Sequence, residues 1–128
     1  MPRFTVLTHD YPFGHWDFLL EAGPALRTWR LFAAPDAGGA IAAEALADHR
    51  REYLDYQGPV SGGRGEVARW DSGEFSVTAE TPDRLEIRLA GERLHGAAAL
   101  VRTATGEGWS FEFTPDPAGS LPAPVGND

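Results

Sequence analysis

The sequence predicts a mainly β protein: a single-domain antiparallel β-barrel with a short helix and loops flanking it. Three observations point there. Short runs of alternating polar and apolar residues recur, the cleanest being Arg84-Leu85-Glu86-Ile87-Arg88-Leu89, and strict alternation marks a half-buried strand. Turn residues separate these runs at spacings of about 8–12 residues, as in sandwiches and barrels. The side chains best suited to chemistry share one strand face, and a barrel would let that face line a polar interior.

The elements are taken in order. Residues 3–9 and 15–21 read as strands joined by Asp10-Tyr11-Pro12-Phe13-Gly14, in which Pro fixes φ and Gly permits positive φ. Ala22-Gly23-Pro24 turns the chain into a third strand over 25–32, with Trp29 and Leu31 marking its buried side. Pro35 to Gly39 is loop. Residues 40–56 are rich in Ala, Glu, Leu and Arg, a composition that favours helix; there His49 and Tyr53, four residues apart, would share a face. Gly58 to Gly65 is glycine-rich but lacks the Gly-Lys-Ser/Thr of a nucleotide-binding loop. It serves as a plain connector or, with Arg64, as an anion-binding nest. Strands are expected over 66–70, 74–80 and 84–89, over 93–102 interrupted at Gly96, and over 108–113, with Asp71-Ser72-Gly73 as a turn. Residues 114–128 are rich in Pro and Gly without periodicity, which makes 1–113 the domain and 114–128 a flexible tail.

Composition narrows the function classes. A chain of 128 residues fits one domain with a real core. The absence of cysteine excludes a disulfide framework and a thiolate metal site. The net charge of −8 argues against broad binding to duplex nucleic acid. It leaves room for a small substrate, or for one nucleic-acid end held at a local positive site. The start Met1-Pro2-Arg3-Phe4-Thr5 lacks a signal-peptide layout, and no apolar run approaches the roughly 20 residues of a membrane span. A cytoplasmic protein without a membrane partner is expected.

Chemistry concentrates between residues 9 and 21. Two of the four histidines lie here, with Asp17 between them and Glu21. On a strand His15 and Asp17 share a face about 6.6 Å apart at Cα. A hairpin closed at 10–14 brings His9 across from His15. Two imidazoles and a carboxylate with open positions suit Mn²⁺, Fe²⁺ or Zn²⁺. The same spacing also fits two surface histidines and a solvated carboxylate. The apolar opposite face (Trp16, Phe18, Leu20) favours an anchored strand and the metal reading.

His9…His15-Trp16-Asp17-Phe18-Leu19-Leu20-Glu21 resembles the metal-site segment of the 3′-phosphoesterase domain of bacterial DNA ligase D, in which a His precedes His-Tyr-Asp-Phe-Arg-Leu-Glu. The likeness continues at Asp48-His49-Arg50-Arg51-Glu52-Tyr53, at Gly63-Arg64-Gly65-Glu66-Val67, at Gly91-Glu92-Arg93-Leu94-His95-Gly96 and at Leu100-Val101-Arg102-Thr103, in family order. The resemblance implies a short extended piece near 41–43 and a short helix over 48–55. It implies His9, His15 and Asp17 as ligands to Mn²⁺, with Zn²⁺ or another divalent ion as alternatives, and His49 and Tyr53 as catalytic residues. Two family arginines thought to hold the scissile phosphate fall at Leu19 and Ile41, and the usually basic loop is Tyr11-Pro12-Phe13-Gly14. Arg64 could supply the missing charge.

The expected activity is therefore removal of a 3′-phosphate or 3′-ribonucleotide from nucleic acid in DNA repair, with repair proteins as further partners. A metal-binding interaction module of the same fold with weakened chemistry is the alternative. A mononuclear iron oxygenase, with His49 or His95 completing a facial triad, comes third. His95 itself reads as structural or exposed.

Overall fold

The computed structural model describes residues 1–106 and 108–117. Nine strands form one sheet: β1 (Arg3–His9), β2 (His15–Ala22), β3 (Ala25–Leu31), β4 (Ile41–Arg50), β5 (Gly58–Pro59), β6 (Glu66–Thr81), β7 (Arg84–Gly91), β8 (His95–Arg102) and β9 (Trp109–Pro115). All the pairings are antiparallel, in the order β1-β2-β3-β4-β9-β8-β7-β6-β5, and a further β1–β6 ladder closes the sheet into a ring. β5 is a two-residue edge on the start of β6.

The ring is filled with apolar side chains. Phe4, Val6, Phe18, Leu20, Trp29, Leu31, Phe75, Ile87, Leu100 and Phe111 belong to one buried cluster drawn from around the sheet. The rings of Phe18 on β2 and Phe111 on β9 meet at 5.2 Å although their strands are not neighbours, a contact made across the interior. A second, smaller cluster lies on the outer face: Leu7, Leu19, Leu26 and Val67, covered by Leu54 and flanked by Tyr53, Tyr56 and Val60. The expected polar interior is thus overturned. Side chains alternate between faces along a strand, so Phe18 and Leu20 take the inside, and His15, Asp17 and Leu19 face outward beneath the 51–60 segment.

Residues 48–55 do not form the expected helix. β4 runs to Arg50 in register with β3, and only a single 3-10 turn comes after it, Arg51–Leu54. Closing the ring needs a strand between β3 and β9, and that ladder outweighs the helix propensity of an Ala-rich segment. A bulge opposite Arg27 sets two β4 residues, Ala47 and Asp48, against one on β3, which re-aims His49 and the end of the strand. Asp71-Ser72-Gly73 is likewise no turn. β6 passes straight through it, with a register shift at Trp70, because the buried Asp71 carboxylate accepts the Glu92 and Leu94 N–H groups at 3.0 and 2.8 Å. β9 continues to Pro115, and residues 118–128 of the expected tail lie outside the described residues.

Candidate metal centre and the cleft beside it

β1 and β2 pair so that His9 stands opposite His15 and Leu7 opposite Asp17. Pairing around the tight 10–14 loop puts both imidazoles at the turn end of the hairpin, flanking the carboxylate. One nitrogen or oxygen from each of His9, His15 and Asp17 lies within 4.8 Å of the others. His15 and Asp17 are buried, at 2% and 3% exposure.

The hydrogen bonds around the triad fix which atoms face inward. His15 Nδ1 lies 2.8 Å from the Phe13 carbonyl, and His9 Nε2 lies 2.8 Å from the Arg64 carbonyl. A carbonyl only accepts, so each of these nitrogens carries the proton. In neutral imidazoles the remaining nitrogens, His15 Nε2 and His9 Nδ1, carry lone pairs. They point at Asp17, at 3.0 Å from Oδ1 and 3.2 Å from Oδ2. His15 Nε2 and Asp17 Oδ1 are both buried without a hydrogen-bond partner. Lone pairs facing a buried carboxylate repel unless a cation sits among them. Donors about 2.1 Å from one ion at a right angle lie about 3.0 Å apart, so the spacing matches shared coordination. The donor set therefore fits a divalent ion, with backbone carbonyls orienting both imidazoles from behind.

Asp17 is electrostatically consistent with that role. Burial pushes its carboxyl upward; where no cation is bound, a hydrogen bond from His15 and the positive charge that His15, His9 and His49 carry when protonated together outweigh burial and hold it below the ordinary carboxylate range. It is a carboxylate at neutral pH.

An open cleft of about 370 Å³ adjoins the triad, reached by His9, Asp17, His49, Tyr53, Arg30 and Arg64. His49 comes just after the β4 bulge and is bonded through Nδ1 to the Ala47 carbonyl at 3.1 Å. Its ring lies 5.8 Å from that of Tyr53 on the 3-10 turn. The pair expected from a helix thus meets through a strand end and a turn. Arg64 borders the cleft, but its guanidinium is bonded to the Ser61 carbonyl and hydroxyl at 2.7 and 3.0 Å. His95 is elsewhere, on β8, paired with Asp116 at 3.1 Å. Leu19 is fully buried in the outer cluster and Ile41 in the interior.

Sequence reasoning misses Arg30. It stands directly opposite Asp17 on the β2–β3 ladder. Counting back from the Gly23-Pro24 turn along both strands would have found it.

The strand ring thus carries two histidines and an aspartate on its outer face, beside a cleft lined by His49 and Tyr53. The DNA ligase D 3′-phosphoesterase domain family matches residues 7–102, and the chain belongs to that family. It is 32% identical over 111 residues to the Multifunctional non-homologous end joining protein LigD of Pseudomonas aeruginosa, a match covering 79% of this chain and 13% of that protein. Among the described residues no helix is long and apolar enough to cross a membrane.

Proposed function

We propose that the chain is a metal-dependent phosphoesterase that removes a 3′-phosphate or 3′-ribonucleotide from nucleic-acid ends during end joining, on a small barrel scaffold. One observation carries this reading: His9 Nδ1 and His15 Nε2 converge on the two oxygens of the buried Asp17 carboxylate, at 3.2 and 3.0 Å, and His15 Nε2 and Asp17 Oδ1 are buried without a hydrogen-bond partner. Family membership supplies the activity class. A divalent ion, Mn²⁺ foremost and Zn²⁺ next, would polarise a phosphoryl oxygen there and favour attack by water. His49, on the open side of the cleft, gives a proton to the leaving oxygen, and the Tyr53 hydroxyl bonds the phosphate and holds it in line. Phe13 and Phe32, stacked at 5.9 Å and about half exposed beside the triad, offer faces on which terminal bases can stack. Stacking needs no basic surface, which suits a chain of net charge −8.

His15→Ala and Asp17→Asn are expected to abolish Mn²⁺ binding by calorimetry and 3′-end processing of a labelled primer, while circular dichroism stays that of the wild type. Undiminished Mn²⁺ affinity in both variants would remove the reading. The weakened-module alternative is favoured by one observation, the burial of Leu19 and Ile41 where the family resemblance places arginines. Mn²⁺ binding without turnover on either a 3′-phosphate or a 3′-ribonucleotide end would decide for it.

A further inference from the structure

We propose that Arg30 is the anion-binding residue of this cleft: its guanidinium, presented from β3 rather than β2, takes the non-bridging oxygens of a phosphate group set against the triad. This rests on the phosphoesterase reading above and names a residue that reading does not use.

Asp17 and Arg30 are direct cross-strand partners, which places their Cβ atoms about 4.5–5.5 Å apart on one face of the sheet. Both border the cleft that His49 and Tyr53 also line. Yet no ion pair forms between Arg30 and Asp17 among the described residues; the guanidinium reaches instead toward Glu44, at a loose 3.6 Å, with that carboxylate half exposed. Arg30 Nε is buried and has no hydrogen-bond partner. The guanidinium is positioned by packing, with Cζ over the Phe13 ring at 5.5 Å from its centroid. A guanidinium positioned by packing, with a buried donor unused, is prepared for an acceptor that arrives with the substrate, and its planar fork matches two phosphate oxygens.

The other candidates for this task are committed or misplaced. Arg64 is bonded through Nε and Nη2 to Ser61. Arg50 is 72% exposed and leans toward Glu52. Leu19 and Ile41 are apolar and buried. Arg30 is the arginine of the cleft that stands on the same face as the triad and retains a free, buried donor.

The test measures ligand binding rather than turnover. Inorganic phosphate and a 3′-phosphorylated oligonucleotide are titrated into Mn²⁺-loaded wild type, Arg30→Ala, Arg30→Lys and Arg64→Ala, and Mn²⁺ affinity is measured separately for each. Arg30→Ala is expected to raise the Kd for inorganic phosphate about tenfold or more, with Arg30→Lys intermediate because a point charge lacks the fork. Mn²⁺ affinity should stay within about twofold of wild type. Loss for both ligands assigns Arg30 to the terminal phosphate, and loss for the oligonucleotide alone assigns it to the strand backbone. Should Arg30→Ala fail to fold, Arg30→Gln keeps part of the stem and removes the charge, and is read in its place. Unchanged affinity for both ligands in the Arg30 variants, or no phosphate binding by wild type, overturns the proposal. A wild type that binds phosphate through Arg30 but takes up no Mn²⁺ sinks only the metal reading.

Discussion

His9 holds its inward-facing nitrogen in place by giving the other one to a backbone carbonyl, that of Arg64, which lies 55 residues further along the chain. The carbonyl is where it is because Gly65 lets the loop fold back over the β1–β2 turn. Gly65 has φ +77°, and a Cβ there would come within 2.2 Å of Asp10 Oδ1 and 2.7 Å of Tyr11 Cβ. The Asp10 carboxylate in turn accepts the Glu66 N–H at 2.8 Å. A residue with a Cβ faces a left-handed backbone cost of about 1–2 kcal/mol as well as the clash. Gly65→Ala should therefore displace the 58–65 loop and weaken Mn²⁺ binding about 10–100-fold, the usual effect of losing a partner behind a metal ligand. Calorimetric titration checks it; an affinity equal to wild type would show that the Arg64 carbonyl is dispensable. The convergence of His9, His15 and Asp17 was legible from spacing, because a strand period of two and a five-residue turn suffice to align them. This carbonyl was not, since nothing local in residues 9–17 announces a contact made from the loop that leads into β6, 55 residues away in sequence.

The elements divide in the same way. The first three strands could be read from alternation and turn residues, since each is satisfied by its immediate neighbour in sequence. β4 could not, because its pairing with β9 joins residues about seventy apart, and local composition spoke for helix. The pairing of His49 with Tyr53, to which the proposed function gives the proton transfer, nonetheless survives the change of element: a bulge in β4 and a 3-10 turn bring together what a helical turn would have. That turn is fastened to the sheet by charge. Glu21 accepts the Arg3 N–H at 2.9 Å and pairs with Arg51 at 2.5 Å, while Arg3 pairs with Asp55 at 2.6 Å. The Arg3 N–H bond and the Arg51 guanidinium hold the Glu21 carboxyl below its usual range. A carboxyl depressed on folding stabilises the native state above its unfolded value, about pH 4.3, and that contribution fades as pH falls through the lower folded value. Glu21→Gln should thus lower Tm modestly at pH 7, exposed pairs being weak, and the gap to wild type should close toward pH 3. A gap that widens on acidification would contradict the role given to Glu21.

At the scale of the whole molecule, the inside and the outside of the ring have separate tasks. The sequence correctly set Phe18 and Leu20 against His15 and Asp17, but alternation alone does not say which face a closed sheet turns inward. Volume decides it: the ring interior is too narrow to hydrate, so the face rich in Phe, Leu and Ile fills it. The chemistry is left on the outer surface, under a cover formed by Leu54, Tyr53 and Val60. Interior packing should then govern stability, and the outer cover should govern the site. Phe18, fully buried and in contact with Phe4 and Phe111, is the sharpest test. Phe18→Ala should cost about 3–5 kcal/mol in urea unfolding, as large-to-small changes in a packed core do. The folded fraction should still bind Mn²⁺ with nearly wild-type affinity, because Phe18 projects away from the triad that its neighbour Asp17 helps build. Leu54→Ala should do the reverse in proportion, disturbing the seat of Tyr53 and hence turnover more than its loss of stability accounts for. If instead Phe18→Ala abolished metal binding in protein shown to be folded, the two faces would be coupled through β2, and the division between scaffold and site would have to be abandoned.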